Sequence, residues 1–314
     1  HLGQAVTAAV LVWTRSGWRP GWSFSAGSVR SLFAFGTNVA LSRVINMAGR
    51  NLNLLLVGRI LGSAPLGIYS LAQRIQMFPV WNVSRVLYRV MFSSLSRISD
   101  NPPRVAELFL RMVRVVSFVS FPMMTGLFVT APLFVELVLG SQWLPLVPVL
   151  RIFCVAAVAE SMTVLTGNIF LSLDRTDLQL KISSWSQLLA LSGVLVGLYW
   201  GLIGVAAGYV AASLIRALAA FGLASGLLDL RAGRIFSGLV PTGLASLAMG
   251  VFVYGFGLLF EGRLPDVILL LLQVGSGLVS YALLVRLLGV RALTENLQLA
   301  REWFAEHTSP PPRS

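Results

Sequence analysis

The chain has 314 residues, 56% of them hydrophobic and only 11% charged, with a formal net charge of +12. Water-soluble domains carry charge on ~25% of positions, so this composition excludes a soluble globular fold and indicates a polytopic membrane protein. The positive excess is almost all arginine, since Lys181 is the single lysine. In a bilayer such charge serves cytoplasmic loops, lipid headgroups and anionic cargo rather than nucleic acid.

Leu2 to Trp13 is too short to span and reads as the end of a preceding helix, so an N-terminal truncation is expected. Residues 15–30 form a Gly, Ser and Arg-rich linker in which Trp18 and Trp22 suit the membrane surface. Apolar runs of spanning length, which takes ~20 residues, follow at 32–60, 65–92, 110–139, 144–172, 178–200, 202–228, 235–260 and 264–288. The expected architecture is an all-α polytopic bundle of eight spans. Beyond Val290 the chain is polar, with a surface helix expected from Ala292 to Phe304.

The first span carries Arg43, Asn46, Arg50 and Asn53 at steps of three and four, which share one helix face. The second carries Asn82, Arg85 and Arg89 on one stripe, preceded by Pro79. Arginine at the bilayer centre costs ~2.5–3.5 kcal/mol on an insertion scale, so these faces are expected to meet a polar interior. Arg43 and Arg50 suit a diphosphate, because guanidinium offers paired donors matched to phosphate oxygens. Pairing with carbonyls, Glu160 or Glu136 explains them equally well. Arg85 and Arg89 are read as further cargo-binding residues with Arg43, Asn46, Arg50 and Asn53, and snorkelling to headgroups explains them almost as well; for Arg59 and Arg74 snorkelling is the better account. Pro79 removes a backbone donor and is expected to bend its helix over Ile75 to Pro79, as a gate.

Glu160 is an acid inside an apolar run. Intramembrane acids often couple ions, but the preferred reading is a charge partner for Arg151 or Arg43. Arg216 lies among small residues, where it either lines a cavity or pairs with an acid. Gly197, Gly201, Gly204 and Gly208 read as packing and loop glycines, not a nucleotide cradle. Cys154 is alone and the two histidines, His1 and His307, are terminal. No catalytic residue, metal site or cofactor is expected.

Positive residues favour cytoplasmic loops. Alternate connections carry Arg15, Arg19 and Arg30; Arg97, Arg104 and Arg111; Arg175 and Lys181; Arg231 and Arg234; Arg291 and Arg301. The intervening connections carry only Arg263, between two acids. The linker and C-terminus are therefore expected on the cytoplasmic side.

Arg50 to Gly62 followed by Leu66 to Ala72 resembles the opening of the second half of polysaccharide-unit flippases. These belong to the multidrug/oligosaccharidyl-lipid/polysaccharide exporter superfamily. Leu139 to Pro145 resembles that family's Gly-x-x-Trp loop, and Leu173 to Asp177 and Gly201 to Gly208 also fit it. The family commonly has an acid where Asn53 stands. The resemblance implies a two-lobe, alternating-access exporter in a bacterial cytoplasmic membrane. Residues 1–30 would be the end of the first lobe and the interlobe linker, and 31–230 the second six-helix lobe. Residues 231–288 would be two additional helices and 289–314 a cytoplasmic tail. The implied cargo is an isoprenoid-diphosphate-linked oligosaccharide moved outward during surface polysaccharide synthesis. The implied partners are membrane lipids, the missing first lobe, and a polysaccharide polymerase with glycosyltransferases. The alternative is a cation-coupled multidrug antiporter, which calls for acids in the cavity. Only Glu136 and Glu160 fall within spans, against several arginines, which favours anionic cargo.

Overall fold

The computed structural model describes residues 25–79, 102–163, 166–172, 175–228 and 232–289, with a few isolated positions before residue 25. Trp18, Trp22, Asn82, Arg85, Arg89 and the tail beyond Gly289 lie outside the described residues. Among the described residues every regular element is a helix.

The helices are α1 (Ala26–Leu61), α2 (63–79), α3 (Pro102–Leu139), α4 (Leu146–Thr163), α5 (Thr166–Ser172), α6 (Thr176–Gly197), α7 (Gly201–Leu227), α8 (Ala232–Phe260) and α9 (Asp266–Leu287). They fall on the apolar runs, but several are longer than those runs. The helix of α1 already contains Arg30, and α3 begins on Pro102 and Pro103, where a missing N–H costs nothing. The fourth run is divided between α4 and α5. There Thr163 Oγ1 donates to the Glu160 carbonyl at 3.1 Å and Thr166 Oγ1 to the Thr163 carbonyl at 2.7 Å.

Four stretches are long and apolar enough to cross a membrane by length and composition: Pro103–Leu139, Thr176–Leu227 (containing α6 and α7), Ser237–Phe260 and Asp266–Leu287. The chain is a multi-pass membrane protein. Although α1 has the length, its arginines and asparagines keep it out of that set.

Compactness divides the chain into His1–Thr37 and Asn38–Ser314. The first unit contains the start of α1, and the second contains the remainder of α1 and all the later helices. Within the second unit, the short connections after α1, α3, α6 and α8 each hold a glycine at positive φ: Gly62 (95°), Gly140 (96°), Gly201 (70°) and Gly262 (74°). At Gly201 this lets α7 turn back directly on α6, in a conformation that a Cβ disfavours.

That hairpin packs through glycine. A Cβ on Gly193 would meet the Gly208 carbonyl oxygen at 2.5 Å, and one on Gly197 would collide with the Gly204 carbonyl. Backbones this close are the small-residue packing expected between membrane helices, where dispersion replaces the hydrophobic drive. The sequence reading of Gly197, Gly201, Gly204 and Gly208 as packing and loop glycines matches this arrangement, in which Gly201 makes the turn and Gly193 joins the packing set.

Polar bonds join α1 to α6. Asn38 Nδ2 donates to Thr176 Oγ1 at 3.2 Å, Asn46 Nδ2 to Ser183 Oγ at 3.1 Å, and Gln187 Nε2 to Asn46 Oδ1 at 2.8 Å. The numbers rise together along both helices, so α1 and α6 run parallel. The alternation of charged connections requires this of the first and fifth spans.

An apolar layer closes the bundle near the turns at Gly62, Gly140 and Gly201. It contains Val57, Tyr69 and Ala72, Ala131 and Val135, Leu146, Leu150 and Phe153, Val194 and Val205. A second core joins α3 to α7 and α8 through Phe109, Val113, Phe121, Phe221 and Leu239. Ala245, Met249 and Val253 of α8 meet Tyr281 and Val285 of α9 in a third.

Candidate functional site: an arginine-bearing cavity inside the helix bundle

Beyond the apolar layer, away from those glycine turns, the helices part around a cavity of about 770 Å³. Its wall includes residues 46–53 of α1, 73–78 of α2, Glu160 and Thr163 of α4, 179–190 of α6 and 209–220 of α7. On every one of these helices the lining lies farther from the glycine turns than the apolar layer does. Tyr209 of the lining packs edge-on against Phe153, and Phe153 against Tyr69, with centroids 5.4 and 5.2 Å apart.

Of the α1 stripe, Asn46, Arg50 and Asn53 line the cavity. Arg43 is exposed and stands outside the lining, although it is seven residues from Arg50. Asn46 commits its amide to structure: its NH₂ also donates to the Ser42 carbonyl at 2.8 Å, and its oxygen is taken by Gln187. Gln187 lies directly over Gly49, where any Cβ would collide with it. Asn53 is 3% exposed with its Oδ1 unpartnered. Arg50 has no carboxylate partner among the described residues.

Arg74 lines the cavity as well. By sequence alone it belongs to headgroup snorkelling at the loop after α1, and the structure corrects this. Three turns of α2 separate it from that loop, and this carries the side chain past the apolar layer. The bend expected at Pro79 falls at the edge of the described residues, where α2 is helical through Pro79.

Among the described residues Glu160 is the one carboxylate in the lining, and it is 3% exposed. Its Oε1 accepts from Tyr209 Oη at 2.6 Å, Arg216 Nη2 at 2.8 Å and Ser213 Oγ at 3.3 Å, while Oε2 accepts from Gln76 Nε2 at 3.1 Å. The carboxylate thus ties α4 to α2 and α7. Its charge partner is Arg216, and neither Arg151 nor Arg43 reaches it.

Arg151 has a different use. Pro132 inside α3 has no N–H, which leaves the Phe128 carbonyl four residues earlier without its helical donor. Arg151 Nε donates to that oxygen at 3.0 Å, and its guanidinium lies over the Phe128 ring, 5.5 Å from the centroid. Glu136 is exposed and joins no ion pair among the described residues. Among the described residues no cluster of three or more His, Cys, Asp or Glu could hold a metal ion.

The lining therefore carries Arg50, Arg74 and Arg216 against Glu160, a net charge of +2 from these groups. A cavity with that surplus is suited to a polyanion, because opposite charges attract across the few ångströms that separate a ligand from the lining.

Known proteins resemble the chain in the same direction. Residues 1–148 match a family model described as polysaccharide biosynthesis protein. Teichuronic acid biosynthesis protein TuaB of Bacillus subtilis is 28% identical over 280 residues, covering 88% of this chain and 58% of TuaB. Lipopolysaccharide biosynthesis protein WzxC of Escherichia coli is 29% identical over 226 residues, covering 70% of this chain and 46% of WzxC. The chain spans about half the length of these curated relatives. Among solved structures, lipid II flippase MurJ in an inward closed conformation superposes with a TM-score of 0.66 at 14% identity, covering 85% of this chain and 56% of MurJ. The fold is MurJ-like, and the matches agree with the family resemblance carried by the motifs.

Proposed function

We propose that this chain, a homologue of the polysaccharide biosynthesis membrane proteins, is the cargo-binding second lobe of a flippase for lipid-linked oligosaccharide. The carrying observation is the cavity with three guanidinium groups and one carboxylate. The proposed ligand is the diphosphate of an isoprenoid-linked glycan, with Arg50 and Arg74 as its first contacts. Asn53 offers the glycan an unpartnered oxygen. Arg85 and Arg89, six and ten positions after Pro79 in the sequence, extend the same basic run in this proposal, and Pro79 is its flex point.

The cavity lies on the side of the arginine-rich connections, beyond the apolar layer. By the charge asymmetry that side is cytoplasmic, so this arrangement receives cargo from the inner leaflet and the apolar layer bars the far side. A cation-coupled antiporter is the weaker reading, because Glu160, the single lining acid among the described residues, is already satisfied by Arg216 and three neutral donors.

The test is polymer export in a deletion strain complemented with the full-length protein, with membrane levels checked by immunoblot. Arg50→Ala is expected to abolish export at normal membrane levels. Wild-type export from the Arg50→Ala, Arg74→Ala double variant overturns the proposed site.

A further inference from the structure

We infer that Arg216 is a third cargo ligand, held in reserve by Glu160, which acts as a displaceable counter-ion. This deepens the reading of the cavity as a diphosphate site and rests on it.

The inference starts from how unequally the two partners are satisfied. Glu160 has four donors, three of them neutral: Gln76, Tyr209 and Ser213. If the guanidinium leaves, the carboxylate keeps those three, and hydrogen bonds to a carboxylate hold its charge inside a low-dielectric site. Arg216 engages Glu160 through Nη2, and its buried Nε has no partner. A guanidinium carries five N–H donors in a planar fork. The pair is thus built to release one member at limited cost, and that member is the arginine.

Placement supplies the second part. Arg216 and Glu160 both line the cavity that contains Arg50 and Arg74. An empty cavity benefits from a counter-ion, since three uncompensated guanidinium groups around one cavity repel. When a diphosphate enters, its oxygens compete with Oε1 for Arg216 and can offer the bidentate geometry that Glu160 leaves unused. Arg216 then turns from α4 to the cargo. Because Glu160 also holds Gln76 of α2, this exchange loosens one of the ties between α4 and α7 while the tie to α2 remains. Cargo occupancy is thereby felt by the packing of the bundle.

The experiment measures binding of inorganic pyrophosphate to the purified full-length protein in phosphatidylcholine nanodiscs by calorimetry. Glu160→Gln keeps the side-chain shape and removes the competing charge. It is expected to bind pyrophosphate about tenfold tighter, in line with coupling measured between close charge pairs. The gain should vanish in an Arg216→Gln background. Tyr209→Phe removes a neutral donor from Glu160, so Arg216 is released less readily and binding weakens. This second variant decides the matter if Glu160→Gln does not fold. A purely structural Glu160 predicts a lower melting temperature with equal or weaker binding, and that result overturns the inference. If Arg50→Ala leaves pyrophosphate binding unchanged, the cavity reading fails and takes the inference with it. If Arg50→Ala abolishes binding while Glu160→Gln gives no gain, the counter-ion alone is refuted. Phosphatidylglycerol nanodiscs distinguish the source of the phosphate. Unchanged pyrophosphate affinity keeps the diphosphate as occupant, whereas its loss assigns the site to headgroup phosphate and overturns the proposal.

Discussion

Tyr281 Oη donates to the Phe118 carbonyl at 2.8 Å, and that carbonyl is the one Pro122 leaves without a helical donor. The same repair occurs between Arg151 and Phe128 behind Pro132. In both cases a helix interior with a proline depends on a side chain from another helix, because lipid offers no water to take the place of the missing N–H. The rings of Phe118 and Tyr281 also pack at 5.4 Å, so α9 is fastened to α3 by both contacts.

Tyr281→Phe should therefore lower stability by about 1 kcal/mol, the net worth of such a bond between membrane helices. Thermal unfolding followed by tryptophan fluorescence checks this. In a Pro122→Ala background the helix supplies its own donor and the loss should shrink. An equal loss in both backgrounds refutes the repair.

Arg151→Leu should destabilise in the same assay, and its effect should be additive with that of Glu160→Gln. Residues that share no partner add, whereas an ion pair does not. Strong non-additivity between the two would restore the charge pair that the sequence suggests.

Gly193→Ala should cost ~1–3 kcal/mol, because its Cβ would press on the Gly208 carbonyl and force α6 from α7. Gly222→Ala on α7 has open space around it and serves as the control, with little change expected. Equal behaviour of the two variants would show that the hairpin is not packed this closely.

Arg43 and Arg50 should separate in the export assay. Arg50→Ala abolishes export, and Arg50→Lys restores only part of it, since lysine keeps the charge without the planar fork. Arg43→Ala should stay near wild type, because Arg43 is outside the lining. A null phenotype for Arg43→Ala at normal membrane levels would move the site toward the start of α1.

Reporters inserted after Gly233 and fused after Ser314 should read cytoplasmic, and one after Gly262 should read on the opposite side. The parallel run of α1 and α6 supports the alternation. A cytoplasmic signal after Gly262 would break it.

Much of this protein is legible without tertiary structure. Apolar runs of bilayer length can only become helices, because lipid forces each backbone group to find a partner within its own segment. Glycines placed between those runs mark the turns, and the alternation of arginine marks the sides. The polar stripe on α1 follows from helix periodicity alone, and so does the suspicion that it faces a cavity. What periodicity does not resolve is which member of a stripe reaches that cavity. Arg43 and Arg50 are equivalent on an isolated helix, and only the helices packed around α1 set them apart. The partner of Glu160 is likewise undecided locally, because Arg151, Arg43 and Arg216 are all basic residues within reach of some packing. Proline decided part of it: Pro132 orphans a carbonyl that claims Arg151, and the packing of α4 against α7 through Phe153 and Tyr209 brings Arg216 to Glu160 instead. These choices depend on residues 23 and 56 positions apart in sequence meeting in space, and that meeting is set by the packing of the whole bundle.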